Sequence, residues 1–119
     1  MRNFEVRVIR HRRTGNPYKG GVHDRHTGQV LRVDSSRRTC CVQLLGGRLS
    51  VLESISWDHL EPVQPRKHEN VKAMTGEFRG QLGELCWTNG NDGLVRFKET
   101  SEYKFVDMVH LAKYLGNLV

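Results

Sequence analysis

The sequence Gly28-Gln29-Val30-Leu31-Arg32-Val33 has a pattern that returns 55 residues later in Gly83-Glu84-Leu85-Cys86-Trp87. Each copy opens on a glycine, continues with a polar residue and then places an apolar residue, which is typical of a half-buried strand. The same offset continues downstream, where Asp34 matches Asn89, Cys40 matches Val95 and Val42 matches Phe97. The sequence therefore predicts two copies of one small β unit.

The strand that precedes each glycine matches at a different offset. Val6 corresponds to Val71 and Val8 to Ala73, 65 residues apart, so the first copy holds ten additional residues before its glycine. Alternating apolar residues predict the other strands, and short turns separate them. We expect strands over 5–10, 28–33, 39–45, 48–55, 71–74, 82–88, 94–97 and 103–108, a hairpin turn at Gly46-Gly47, a helical turn within 56–61 followed by a last strand of the first copy, and a closing turn over 110–115.

About five short strands per copy are too few for a sandwich but suit a small barrel. The polar segment from Pro62 to His68, with a second proline at Pro65, is the one plausible boundary. We therefore predict an all-β protein of two tandem five-stranded barrels, 1–63 and 64–119, joined by a short Pro-containing linker. Glycine at the start of the second strand allows a sharp bend or the close approach of another backbone.

The charge of the chain is positive and uneven. The 119 residues carry a net charge of +6, with an isoelectric point near 9.6. Residues 1–64 hold 11 basic and 6 acidic side chains, whereas residues 65–119 hold 8 and 7. This asymmetry favours a polyanionic partner such as nucleic acid over an acidic protein or an anionic membrane surface.

The additional residues of the first copy fall in an arginine-rich loop. Arginine pairs with phosphate through two N–H donors and also stacks on bases, and Tyr18 offers an aromatic face to an unpaired base. The alternatives are a solvated loop and a protein-binding loop. The residues predicted to bind RNA or DNA are Arg10, Arg12, Arg13, Tyr18, Lys19, Arg25, Arg37 and Arg38.

No motif for catalysis, a metal or a cofactor is found. The sequence lacks nucleophile-elbow, zinc-protease and phosphate-loop patterns, so we expect no enzymatic activity. His23-x-x-His26 has no third ligand at a usual spacing, and the cysteines Cys40, Cys41 and Cys86 form no C-x-x-C pair. We expect no metal, no cofactor and no membrane span.

The aromatic residues invite comparison with the cages that bind methylated lysine. We instead expect most of them to pack in the core, because Phe97 matches the core-like Val42. Only Trp57 and Tyr18 lack an apolar counterpart in the other copy. The aromatic residues considered are Trp57, Trp87, Phe97, Phe105 and Tyr114.

An ordered series of motifs in the second half resembles a known family. Each copy looks like a KOW-type barrel, an SH3-like fold with strand, loop, glycine and strand in that order. The series is similar to the final pair of KOW domains in the large subunit of DSIF, a eukaryotic relative of the elongation factor NusG. The motifs are His59-Leu60-Glu61-Pro62, Pro65-Arg66-Lys67, Val71-Lys72, Phe78-Arg79-Gly80, Gly83-Glu84-Leu85, Asn91-Asp92-Gly93-Leu94-Val95-Arg96 and Leu111-Ala112-Lys113-Tyr114-Leu115.

This resemblance implies part of a larger nuclear protein that associates with RNA polymerase II, contacts nucleic acid and recruits processing factors. The chain lacks the NusG-type N-terminal domain, so alone it is not expected to confer processivity. Tyr18-Lys19-Gly20-Gly21 looks more like the tandem KOW tail of G-patch spliceosomal proteins. An RNA-binding or protein-interaction module in pre-mRNA splicing is therefore the alternative.

Overall fold

The computed structural model describes residues 2–46 and 50–116. They fall into two compact units, Met1–Val63 and Gln64–Val119, which we call the first and the second unit. None of the helical segments in these ranges has the length and hydrophobicity that a membrane-spanning helix needs.

The first unit is a five-stranded antiparallel sheet with the order β4-β3-β2-β1-β5. Its last strand lies beside its first, and the 3-10 turn Trp57–His59 leads from β4 into β5. The strands are β1 (Glu5–Val8), β2 (Thr27–Asp34), β3 (Thr39–Leu44), β4 (Val51–Ser56) and β5 (Leu60–Pro62).

The second unit repeats this topology with the order β10-β6-β7-β8-β9, and the 3-10 turn Met108–His110 leads into its last strand. The all-β prediction is confirmed, as two antiparallel five-stranded sheets. The strands are β6 (Asn70–Ala73), β7 (Leu82–Asn89), β8 (Asp92–Phe97), β9 (Tyr103–Asp107) and β10 (Leu111–Lys113).

Two local predictions meet different outcomes. The closing turn over 110–115 is wrong, because Leu111 pairs with Ala73 and Lys113 with Val71, which makes this segment a strand. The predicted hairpin at Gly46-Gly47 and the start of the following strand lie partly outside the described residues; β4 is described from Val51 onward.

The strand register confirms the internal repeat. Val6 pairs with Gly28 in the first unit, and Val71 pairs with Gly83 in the second. The predicted offsets of 65 and 55 therefore hold for the first two strands of each unit.

The offset predicted for the third strand is wrong by two residues. Gly28 pairs with Leu44, whereas Gly83 pairs with Phe97, so Phe97 corresponds to Leu44 and not to Val42. The reason is the hairpin turn: Asp34 pairs with Thr39 across four residues, whereas its counterpart in the second unit spans two.

Gly28 and Gly83 are required by close packing of neighbouring strands. A Cβ atom at Gly28 would lie 2.5 Å from Val42 Cγ1 and 2.8 Å from the carbonyl oxygen of Gln43. At Gly83 it would lie 2.6 Å from the carbonyl oxygen of Arg96. These separations are shorter than van der Waals contact, so the expected close backbone approach is present in both units.

Alternation along the strands places one side of each sheet in a core. The second core contains Leu85, Val95 and Phe97, and the ring of Phe78 stacks on Phe97 at 4.7 Å between centroids. In the first unit Val30, Val42 and Ile55 are fully buried. The core prediction is confirmed for Phe97 but wrong for two other aromatic residues, since Trp87 and Phe105 are 42% and 69% exposed.

Candidate nucleic-acid interface

The ten extra residues of the first unit lie between Ile9 and Gly21. Ile9 corresponds to Met74, because the amide of each donates to the histidine carbonyl that ends the 3-10 turn, at 2.8 and 2.7 Å. Gly21 corresponds to Gly76, because each carbonyl accepts from the amide three residues on, at 3.1 and 3.3 Å. Eleven residues, 10–20, lie between Ile9 and Gly21 in the first unit, whereas one residue lies between Met74 and Gly76 in the second. We call residues 10–20 the basic insertion.

The basic insertion is bound to the 3-10 turn and to the start of β5. The Arg12 amide donates to the Asp58 carbonyl at 3.1 Å, and the Arg12 guanidinium donates from Nη2 to the Leu60 carbonyl at 2.5 Å. His11 Nε2 lies 3.4 Å from Asp58 Oδ2. Arg12 therefore has a structural role within the unit, which its sequence context did not reveal.

The His11 ring organises the turn inside the insertion. Its Nδ1 accepts hydrogen bonds from the amides of Arg13 and Thr14, at 3.2 and 3.3 Å. A ring nitrogen that accepts carries no proton, so Nε2 holds the hydrogen that faces Asp58. The Arg13 side chain is exposed.

Tyr18 packs within the unit and is half-buried. Its ring meets the His59 ring edge-on at 5.4 Å between centroids. Lys19 Nζ lies 5.6 Å from the centre of the Tyr18 ring. Part of the Tyr18 surface is thus used for packing within the first unit.

The second group of basic residues sits on the turn between β2 and β3. The Asp34 carboxylate accepts from Ser36 Oγ at 2.7 Å and from the amides of Ser36 and Arg37 at 3.1 and 3.2 Å. The hydrogen bond from the Ser36 side chain, with that from the Arg37 amide, lowers the pKa of Asp34. This closed turn holds Arg37 and Arg38 exposed, and the Arg38 guanidinium lies 5.3 Å from the centre of the Trp57 ring.

The 3-10 turn Trp57–His59 brings the two basic groups to the same end of the first unit. The Trp57 amide donates to the Arg38 carbonyl at 2.9 Å, and the carbonyl of the next residue, Asp58, accepts from Arg12. The expectation that Trp57 lacks an apolar counterpart is wrong, because Met108 opens the corresponding 3-10 turn of the second unit.

Two further predicted residues lie beside these groups. Arg10 is exposed and donates from Nη1 to the Gly15 carbonyl at 3.3 Å. Arg25 is exposed and has a positive φ of 68°, at the position where the second unit has Gly80. Arg25 is equivalent to Gly80 because the Arg25 amide donates to the Val8 carbonyl and the Gly80 amide donates to the corresponding Ala73 carbonyl.

Carboxylates form close ion pairs with other arginines, and of the predicted set Arg37 interacts electrostatically with Asp34. Arg7 pairs with Glu61 at 3.2 Å, and Arg32 pairs with Glu53 at 3.8 Å, both on strands. Within residues 2–46 and 50–116, no ion pair joins a carboxylate to any of the seven cationic side chains of the predicted set. The first unit therefore presents seven such cations. Arg10, Arg12, Arg13 and Lys19 are on the basic insertion, Arg37 and Arg38 are on the turn between β2 and β3, and Arg25 follows the insertion.

The structure offers no metal site in the part of the chain that it describes. No group of three His, Cys, Asp or Glu side chains there could hold an ion. The His23 and His26 rings lie 6.1 Å apart between centroids. Burial raises the pKa of the Cys40 thiol, which disfavours the nucleophilic thiolate.

The comparisons with known proteins point to one family. Residues 63–114 match the model of the seventh KOW domain of transcription elongation factor SPT5. SPT5 homolog 1 of Arabidopsis thaliana is 36% identical over 90 residues, covering 72% of this chain and 8% of the relative. SPT5 homolog 2 of the same plant is 32% identical over 102 residues, covering 82% and 10%.

The chain thus spans at most about a tenth of the length of these relatives. The matched segment is the second unit with its strand order and its close-packed Gly83. The resemblance to eukaryotic NusG-type elongation factors is confirmed, and this chain carries a KOW domain of the SPT5 elongation-factor family.

Proposed function

We propose that the chain is a non-catalytic module of a transcription elongation factor, in which the first unit binds RNA or DNA and the second unit docks a protein. The named family supports the elongation-factor role. It also favours this role over the splicing alternative, and it fits a nuclear location and partners in the machinery of RNA polymerase II.

We further propose that both units are KOW domains of the SH3-like type. The matching strand order of the two sheets supports this, as do the two glycines at which a Cβ atom would meet the neighbouring strand. The segment around Pro65 would be the linker, with domains at 1–63 and 64–119.

The observation that carries the nucleic-acid proposal is the grouping, around the 3-10 turn of the first unit, of cations that form no close ion pair with a described carboxylate. The backbones of Arg12 and Arg38 are hydrogen-bonded to this turn, and Arg13 and Arg37 are their neighbours in the sequence. Such a group suits a chain of phosphates, whose negative charges would be neutralised by several separate contacts. Binding would then be modest, strongly salt-dependent and weakly base-selective.

The test is a fluorescence-anisotropy titration of labelled single-stranded RNA and duplex DNA at two salt concentrations. The variant Arg13→Gln/Lys19→Gln/Arg37→Gln removes three exposed charges without removing the Arg12 hydrogen bond. Each lost phosphate contact lowers the salt slope by about 0.7 on a single strand, so three contacts correspond to roughly 100-fold in affinity at 0.1 M salt.

The matched control removes the same charges from the second unit, as Lys67→Gln/Arg79→Gln/Lys98→Gln. These three side chains are also exposed. We expect the control to bind nearly as well as the unmodified chain. Equal losses in both variants would mean that only the net charge matters, and the proposed location would be wrong.

A further inference from the structure

The outer face of the second sheet carries a row of apolar side chains that crosses three strands. Trp87 on β7 pairs in register with Leu94 on β8, and Leu94 pairs with Phe105 on β9. The Trp87 and Phe105 rings meet edge-on at 6.5 Å between centroids. Tyr103, two residues before Phe105 on the same face, is 57% exposed. Large aromatic side chains grouped in solvent in this way mark interaction surfaces.

The fold itself does not require this aromatic row. At the corresponding positions of the first unit, Arg32 pairs with Cys41, which faces Glu53 and Ser54 at a bulge. The first unit thus forms the same sheet with an exposed ion pair, Arg32 to Glu53, where the second has aromatic rings. The aromatic row is therefore a property of the second unit and not of the shared architecture.

Two carboxylates lie directly opposite one another in the next row of the same face. Asp92 on β8 pairs in register with Asp107 on β9, and both are exposed. Like charges at such a position destabilise a sheet. The first unit has Thr39 and Ser56 there, and Ser56 caps its 3-10 turn as Asp107 caps the other, so neither the sheet nor the cap needs this second charge.

We propose that this face, defined by Trp87, Leu94, Tyr103, Phe105, Asp92 and Asp107, docks an extended segment of a partner protein in which apolar residues alternate with lysine or arginine. The apolar side chains would cover the aromatic row, and a cation would neutralise the Asp92–Asp107 pair. This deepens the proposed protein-docking role of the second unit, and it is independent of nucleic-acid binding by the first.

The position of the row at the end of the sheet suits an extended ligand. β9 is the terminal strand in the order β10-β6-β7-β8-β9, so an added strand beside it would continue the Trp87–Leu94–Phe105 row. Nucleic acid fits the aromatic rings but not the paired carboxylates, which repel phosphate. Arg96 is exposed and pairs in register with Tyr103, so the acidic part of this face is the end that holds Asp92 and Asp107. Charge complementarity at that end selects a cationic, apolar peptide.

The test uses three fluorescein-labelled ten-residue peptides and the full chain. The first alternates lysine with isoleucine or valine, the second has glutamate in place of lysine, and the third alternates lysine with serine. We expect the first peptide to bind at least tenfold more tightly than the others. Phe105→Ser should weaken it about tenfold, as truncation of a central aromatic contact does.

A second variant, Asp92→Asn/Asp107→Asn, keeps the capping acceptor at residue 107 and removes both charges. We expect it to weaken binding at low salt and to flatten the salt dependence. The matched controls are Glu77→Gln/Glu99→Gln, which removes two exposed carboxylates elsewhere in the second unit, and Val22→Ser, which removes an exposed apolar side chain of the first.

The outcomes separate this proposal from the nucleic-acid proposal. Each variant is also titrated with a labelled twelve-nucleotide RNA, and Phe105→Ser should bind it as the unmodified chain does. Failure of the unmodified chain to bind RNA would leave the peptide result standing. Absence of peptide binding, preference for the glutamate or serine peptide, or loss of RNA binding in Phe105→Ser would overturn the docking proposal.

Discussion

Arg12 and Arg13 are adjacent residues of one type, and the structure gives them different roles. The Arg12 guanidinium donates to the Leu60 carbonyl 48 positions away, whereas Arg13 is exposed and makes no ion pair with a described residue. We predict that Arg12→Gln lowers the stability of the first unit and that Arg13→Gln lowers its affinity for RNA.

The magnitudes follow from these contacts. A hydrogen bond to a charged group contributes about 1.5–3 kcal/mol, and the Arg12 bond is only partly buried, so we expect a loss of about 1.5 kcal/mol. For a domain of this size that corresponds to a fall in Tm of roughly 6–12 °C. Arg13→Gln should change stability by less than about 0.5 kcal/mol. Loss of one phosphate contact should weaken RNA binding about fivefold at 0.1 M salt.

The assay follows tryptophan fluorescence during thermal unfolding. The chain has two tryptophans, Trp57 in the first unit and Trp87 in the second, so a Trp87→Phe background makes the signal specific for the first unit. RNA affinity is measured at 10 °C, where both variants should be folded. The reasoning is refuted if Arg13→Gln lowers the Tm as far as Arg12→Gln, or if Arg12→Gln leaves it unchanged.

Three further predictions concern stability. Alanine at Gly28 or at Gly83 should each destabilise its own unit by about 1–3 kcal/mol in denaturant unfolding, because the Cβ atom would meet the neighbouring strand; neutral substitutions would contradict the packing described. Burial of Glu69 raises the pKa of its carboxyl, but the hydrogen bond from the Arg66 amide and the Lys113 ammonium 3.0 Å away lower that pKa overall. Glu69→Gln should therefore reduce the free energy of unfolding by about 0.5 kcal/mol at pH 7 and by less below pH 4. An equal reduction at both pH values would exclude the ion pair. The pKa of the Asp34 carboxyl is also lowered, so the stability that this carboxylate contributes is fully present above its ordinary pKa of 3.8 and is lost as the pH falls through the pKa in the folded chain. The Ser36 and Arg37 amides should therefore be better protected from hydrogen exchange above that range. Protection that does not depend on pH would argue against these hydrogen bonds to Asp34.

The strands and the repeat could be predicted because alternation and glycine placement are local properties. Val6 and Val71 alternate with polar neighbours and are buried, as the period of a strand requires. The offset of the third strand could not be found in the same way, since it depends on whether a hairpin turn holds four residues or two. The apolar pattern of β3 tolerates a shift of two, because the shift returns each side chain to the same face.

The basic insertion shows a different limit. Its arginines are visible in the sequence, but their contacts are not. The carbonyl that accepts from Arg12 belongs to Leu60 on β5, and the ring that packs against Tyr18 belongs to His59 in the 3-10 turn, about 40 or more residues away along the chain. The core expectation extends the match of Phe97 with Val42 to the other aromatic residues. The exposure of Trp87 was missed because a register shift between Leu85 and Trp87 turns Trp87 away from the face that buries Leu85. Phe105 lies on the outer face, where it pairs with Leu94, while its neighbour Val106 is buried.

The most direct test of the central claim is an amide-resolved NMR titration of the full chain with a twelve-nucleotide single-stranded RNA. We predict that the largest chemical-shift changes fall on residues 10–20 and 34–39, that they diminish as salt is raised, and that β7 to β9 stay unchanged. Shifts confined to residues 64–119, or spread evenly over both units, would contradict the claim that the first unit holds the nucleic-acid site.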